Sequence, residues 1–346
     1  MSQPKSSLSK QQLLIVLAAI VAGCSGPAPD VPALRQDVAS AATPWTHESF
    51  DDAAHKFTFA VFSDLTGGER PRVFEIAVAQ LNLLRPELVI NVGDLIEGAS
   101  GDHDELHAEW DSFDERTGNA KAPVFYVGGN HDLTGEPLQQ VWQQRYGRRY
   151  YYFVYKNVLF LVLDTEDNTP ERSAEIFRAR NESFEIVAEK GWDAFDDTDY
   201  GRMPERKFGT ISAKQSQYFV NVIAENPGVR WTFIFVHKPA WERDNEMHFA
   251  AIENALSNRP YTVFNGHEHV YEYAERHGRD YIQLATTGGV QFPDRGLSAD
   301  QVTLVTVDDH GVDIANLLLS GILDKTGHIP LDGNDVCFDA GRCGDR

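Results

Sequence analysis

The chain has little cysteine, little positive charge and no long apolar run. There are three cysteines in 346 residues, Cys24, Cys337 and Cys343. They are too few and too scattered for a thiolate metal cluster, and the CFDAGRC segment that holds the last two offers too few further ligands for a metal. Lysine and arginine number 31 against 52 acidic residues, a formal net charge of −21. Such a chain repels DNA, RNA and anionic membrane surfaces, so no nucleic-acid partner is expected. The longest N-terminal apolar stretch, Leu13 to Ala22, is ten residues, too short to span a bilayer core. Internal repeats are absent, which excludes solenoids and propellers.

The beginning of the chain is a leader to be set aside before fold reasoning. Lys5 and Lys10 supply its positive region, the ten apolar residues its core, and Val21-Ala22-Gly23-Cys24 its end. That end resembles the lipobox of bacterial lipoproteins. The resemblance implies removal of residues 1–23 and lipidation of Cys24, which would then anchor the chain to the cell envelope, facing the periplasm or the outside. Ser25, rather than Asp, follows the cysteine and leans toward the outer membrane of a Gram-negative cell. Cys337 and Cys343 remain as an even pair that an oxidising compartment would allow to join as a disulfide. Residues 24–54 carry Pro27, Pro29, Pro32 and Pro44 among alanines and read as a tether. A main domain is expected over 55–320, with 42% apolar residues in the whole chain available for its core. The acidic tail 321–346 reads as a loose end with a staple.

Within the domain, strand and helix patterns alternate. Apolar runs at Phe57–Phe62, Leu88–Val92, Val124–Val127, Trp231–Val236 and Tyr261–Phe264 read as buried strands, and Val73–Leu84 as a helix. Tyr150–Tyr155 and Val158–Leu163 read as a hairpin about Lys156-Asn157, and Ala213–Ala224 as a helix capped by Ser212. Each of the five strands ends at a residue able to bind metal: Asp64, Asp94, Asn130-His131, His237, and His267 with His269. In α/β sheets, sites gather outside the carboxyl ends of strands. One Asp after a strand is usually a helix cap; five coincidences of one kind point to a common centre. Imidazole mixed with carboxylate suits Zn, Mn, Fe or Ni better than Mg or Ca.

The order Asp64-Leu65-Thr66, Gly93-Asp94, Gly129-Asn130-His131-Asp132, His237, Gly266-His267-Glu268-His269 resembles the calcineurin-like metallophosphoesterases, whose motifs run D-x-H, GD, GNH followed by D or E, a lone H, and GHxH. Leu163-Asp164-Thr165, the helix bearing Gln217, and Thr287-Gly288-Gly289 add to the likeness, which spans about residues 57 to 290. The resemblance implies an α/β fold: a four-layer α/β/β/α sandwich of two mixed sheets with a dimetal site at the strand C-terminal ends. It implies two divalent or trivalent ions, one on Asp64, Asp94 and His269, the other on Asp94, Asn130, His237 and His267, with Asp94 bridging. It implies hydrolysis of a small-molecule phosphoester by a dimetal-bound hydroxide, with His131 as general acid.

One departure stands out. Thr66 occupies the place of the first motif's His. Glu97 could fill the gap, since it stands three residues after Asp94 where purple acid phosphatases carry a metal-binding Tyr. Alternatively Glu97 pairs with His131, or water or Thr66 fills the position, or the site is half-built. The last case would make the chain a non-catalytic surface metal-binding or scaffold protein. Residues 166–209, with Trp192, Phe195, Tyr200 and Arg202, read as an insertion over the site. Whether monoesters or diesters are cut is set by such loops and not by the motifs.

Overall fold

The computed structural model describes residues 53–343 together with 46, 47, 50 and 51. Cys24, the leader and most of the tether lie outside the described residues. Among the described residues no helix is long and apolar enough to cross a membrane. The strands are β1 (Phe57–Phe62), β2 (Leu88–Asn91), β3 (Val124–Phe125), β4 (Tyr151–Tyr155), β5 (Val158–Val162), β6 (Trp231–Phe235), β7 (Tyr261–Asn265), β8 (Glu272–Arg276), β9 (Arg279–Gln283), β10 (Gln301–Val307) and β11 (Val312–Leu318). The helices used below are α1 (Val73–Leu84), α2 (His103–Thr117), α3 (Asn130–Leu133), α4 (Glu136–Arg145), α5 (Pro170–Lys190), α6 (Asp199–Arg202), α7 (Ala213–Glu225) and α8 (His248–Ala255).

Two mixed sheets result, ordered β11-β10-β1-β2-β3 and β4-β5-β6-β7-β9-β8. Their centres are parallel, β1 with β2 and β5 through β7 to β9; antiparallel strands close three of the four edges, and parallel β3 closes the fourth. The central strands are apolar on both sides because both sides are covered. Phe57, Phe59 and Val61 of β1 meet Val158, Phe160 and Val162 of β5 and Phe233 and Phe235 of β6 between the sheets. Ala60 and Phe62 turn outward to α1, α2 and α4, joined by Phe74, Trp110 and Trp142. Leu159 and Leu161 turn the other way, to Phe219 of α7 and Phe249 of α8. The layers are therefore helix, sheet, sheet, helix, as the family resemblance implied. Between the sheets Phe59 meets Phe160 edge-on at 5.3 Å. Removing such a ring costs about 3–5 kcal/mol.

Three local details differ from, or add to, the expectations. β3 ends at Phe125, short of Val127, because the Val127 N–H leaves the ladder and donates to the Asn91 side chain at 2.9 Å. The residue of α7 that reaches Asp164 is Gln215, which receives the Asp164 N–H and returns its own N–H to the Asp164 carbonyl, both at 2.9 Å. Gln217 is exposed and bonds Asn221. The tail is not loose: Ile329 and Phe338 enter the core beside α1, and the Phe338 carbonyl accepts the Asp300 N–H at 2.8 Å. Cys337 and Cys343 are bonded within it.

The segment 166–209 leaves and rejoins the sheet at one place, where Glu166 and Thr210 form a bridge. Thr169 caps α5 and Pro170 starts it, both favourable at those positions. Ile176, Ala179 and Tyr200 make a small core of its own. Buried charges fasten its base. Glu205 receives Arg172 at 2.6 Å and Arg243 at 2.7 Å, and Lys238, next to His237, pairs with Glu166 at 2.7 Å.

Candidate metal centre

Five strand ends converge. β1 delivers Asp64, whose carboxylate receives the Ser63 hydroxyl and, at 3.0 Å, the His267 N–H. β2 delivers Asp94, whose backbone is left-handed (φ 58°). Its Oδ1 accepts the His131 N–H at 2.9 Å. The loop after β3 delivers Asn130, with Oδ1 3.1 Å from His237 Nε2. His237 follows β6, and its Nδ1–H donates to the Val92 carbonyl at 2.9 Å. That bond fixes the tautomer and turns Nε2 inward, 3.1 Å from Asp94 Oδ2. After β7, His269 donates Nδ1–H to the Val290 carbonyl at 2.6 Å and sets Nε2 3.4 Å from Asp64 Oδ1. His267 donates Nε2–H to the Arg206 carbonyl at 2.7 Å. Glycines permit this crowding: a Cβ on Gly129 would collide with Asp94 Oδ1, and one on Gly266 with Asp64 Oδ2.

The donors fall into two groups, Asp64 with Asp94 and His269, and Asp94 with His237 and His267. Asn130 joins the second through its contact with His237. Asp94 belongs to both, the arrangement a bridging carboxylate requires. The fit to metal rests on an atom without a partner: His267 Nδ1 is buried and unbonded, although its other nitrogen is held in place. A buried acceptor left so costs about 1–3 kcal/mol unless a cation takes it. The charges agree. Burial works against ionisation of Asp94, yet His237 and His131 hold its carboxyl well below the usual range. Burial opposes a charge on His237 too, but Asp94 pushes it up to about 9, so a proton sits where a cation would. Burial and the Lys238 charge keep His267 well below its ordinary value, leaving a lone pair free.

The expected ligand Glu97 lies outside both donor groups. Both its oxygens serve the backbone of the first loop, accepting N–H from Gly67 at 3.2 Å, Gly68 at 3.1 Å and Glu69 at 2.8 Å. Three N–H donors in a glycine turn make an anion nest that captures the carboxylate. Its carbonyl accepts Nδ1–H of His131 at 2.6 Å, and its Oε2 lies 4.0 Å from the same nitrogen. Glu97 thus touches His131 through its backbone carbonyl, while its carboxylate faces the glycine turn. Thr66 is buried and donates its hydroxyl to the Asp94 carbonyl at 3.3 Å. The first group therefore has three protein donors.

Sequence reasoning passed over two residues beside the centre. Asp132 is the last letter of GNHD, a visible signal. It is fully buried and accepts the N–H groups of Gly129, Asp94, Leu95 and Ile96. Burial nonetheless pushes its carboxyl up to about 7. Arg180 of α5 had no such signal. It is 1% exposed, bonds the Gly98 carbonyl at 2.9 Å and stands 3.4 Å from His131 Nδ1. Burial holds His131 below its ordinary value, against the pull of Asp94.

The model of the calcineurin-like phosphoesterases matches residues 57–271. The chain belongs to this family. A dimetal phosphatase from Danio rerio is similar over 76% of this chain and 98% of its own, at 16% identity and a TM-score of 0.51. The purple acid phosphatase PPD1 from yellow lupin seeds is similar over 78% of this chain and 52% of its own, at 12% identity and a TM-score of 0.52. At these identities the likeness speaks for the fold. No curated protein matches. As a calcineurin-like phosphoesterase the chain is a metal-dependent phosphoric ester hydrolase, and the donor groups described above are its candidate dimetal site.

Proposed function

We propose that this phosphoesterase cuts a small-molecule phosphoester at a two-metal centre, with His131 protonating the leaving group, while lipidated Cys24 holds it to the cell envelope. The observation that carries the catalytic reading is the double membership of Asp94, set beside a histidine whose proton position is fixed. One metal would be held by Asp64, Asp94 and His269, the other by Asp94, Asn130, His237 and His267. Two ions so placed would activate water and neutralise charge on the phosphoryl oxygens. Asp94 keeps its carboxylate in reach of both groups because the His131 N–H fixes one oxygen. His131 donates Nδ1–H to the Glu97 carbonyl, which leaves Nε2 for the leaving-group oxygen. Its lowered pKa makes the protonated form scarcer but a stronger acid, and the two effects partly offset.

A second reading, metal binding without catalysis, is favoured by the three-donor first group. One experiment separates the two. The full chain is loaded with Zn, Mn, Fe or Ni and given nitrophenyl phosphate, its bis-ester and alkyl phosphates, with metal content measured alongside. Catalysis predicts two metals per chain and turnover. His131→Ala should then lose roughly 10²–10⁴ in rate on alkyl esters and less on nitrophenyl esters, whose leaving group barely needs a proton. Full metal content with no turnover on any ester would leave only the binding reading.

A further inference from the structure

The geometry points to a subsite for a planar aromatic leaving group, built by the insertion against the metal centre; it rests on the phosphoesterase reading above. A cavity of about 1010 Å³ runs from Asp94, Asn130 and His131 out along α5. Four phosphate oxygens need on the order of 120 Å³ at about 30 Å³ for each water-sized atom. Most of the cavity therefore awaits the organic part of the ester.

The wall is graded. Arg180, Phe184 and Ala188 recur at helical spacing, so one face of α5 lines the cavity, and Trp192 continues it past the helix end. Nearest His131 comes Arg180, a buried guanidinium with no carboxylate in ion-pair range among the described residues. Its charge is balanced only at a distance by Glu109 and by the Phe184 ring, 4.9 Å beneath the guanidinium, so an incoming phosphate would be its first directly paired anion. Beyond it come rings. Trp192 lies 6.3 Å from Phe184 and 5.6 Å from Phe195, and Phe292, in the connection between β9 and β10, lines the same cavity 5.9 Å from His269. The small core of the insertion uses Ile176, Ala179 and Tyr200, with Phe195 packed against it; Phe184 supports Arg180, and Trp192 lies outside that core. Trp192 remains 68% exposed at the cavity rim. Charge then ring, in that order from the metals, is the order of groups in an aryl or nucleoside phosphate. Glu97, Glu185, Asp196 and Glu268 share the lining with Arg180, Arg206 and Arg295, so a single phosphate fits and a polyanion does not.

Calorimetry on the metal-loaded full chain tests the subsite without turnover. Phenylphosphonate should bind about tenfold tighter than methylphosphonate, the scale of one packed ring stack. Phe184→Ala and Trp192→Ala should each remove most of that advantage. In hydrolysis, Trp192→Ala should raise KM about tenfold for nitrophenyl phosphate and nucleoside monophosphates and leave glycerol phosphate unchanged. The ester with the lower wild-type KM, nucleoside or aryl, identifies the source of the ring, and either order supports the subsite. Equal binding of the two phosphonates, binding of neither, or an advantage that survives both substitutions would overturn it. A ring preference in a chain that hydrolyses no ester would overturn catalysis and leave the subsite standing.

Discussion

The backbone N–H of Asp94 donates to the carboxylate of Asp132 at 2.9 Å, so the residue common to both donor groups is held by one that belongs to neither. Asp132 takes two N–H groups on each oxygen. In Asp132→Asn, the NH₂ must face two N–H donors that it cannot accept from. Both metals should bind roughly 10–100-fold more weakly, as for other supports of ligands. Stability should fall by about 1–3 kcal/mol. Elemental analysis and thermal unfolding measure the two effects; undiminished content of both metals would remove the positioning role.

Glu97→Gln should keep both metals, because the carboxylate belongs to neither donor group. It should loosen the turn at Gly67 and Gly68 and, through it, the mouth beside His131. Turnover should fall about tenfold, the scale of one lost charged hydrogen bond. Loss of one metal of two in this variant would restore Glu97 as a ligand.

The insertion should be acid-sensitive. Arg172 and Arg243 overcome burial and pull Glu205 down to about 2 from its ordinary 4.5. A depressed carboxylate pKa contributes stability above about 4.5 that is lost as pH falls toward 2. Wild type should therefore melt above Glu205→Gln at pH 6, and the gap should close between pH 4.5 and 2. A gap that stays constant across that range would show that the substitution acts through shape and not charge.

Cys24→Ser should leave the protein uncleaved or free of the membrane fraction. The variant staying membrane-bound with a processed N-terminus would refute the lipid anchor.

The candidate donors were legible because each follows a strand's apolar run with a ligand-type side chain, and a glycine precedes Asp94, Asn130 and His267. Residues in contact through folding alone were not. Glu97 has the right spacing from Asp94, but spacing says nothing of the three N–H groups of the glycine turn that compete for it. Arg180 lies some fifty residues from His131 on a helix whose sequence is merely amphipathic. Gln215 was within reach of the pattern: it shares its inward face with Phe219, Val222 and Ile223, whereas Gln217 falls off that face. β3 was overdrawn because the side chain of Asn91 supplants the ladder there, and hydrophobicity does not encode that choice.

Asp94, His267 and His269 all adopt left-handed backbone, at φ 58°, 81° and 55°. For residues with a Cβ that conformation costs roughly 1–2 kcal/mol each. The fold holds these donors in place before any ion arrives, and an ion that binds only the folded chain offsets the cost by mass action. Glycine at any of the three would relieve backbone strain while removing a candidate ligand, so heat resistance and the proposed chemistry would pull against one another at the same residues. On the proposed reading, the surrounding metal supply would govern how long the folded chain survives proteases and heat, as well as how fast it works.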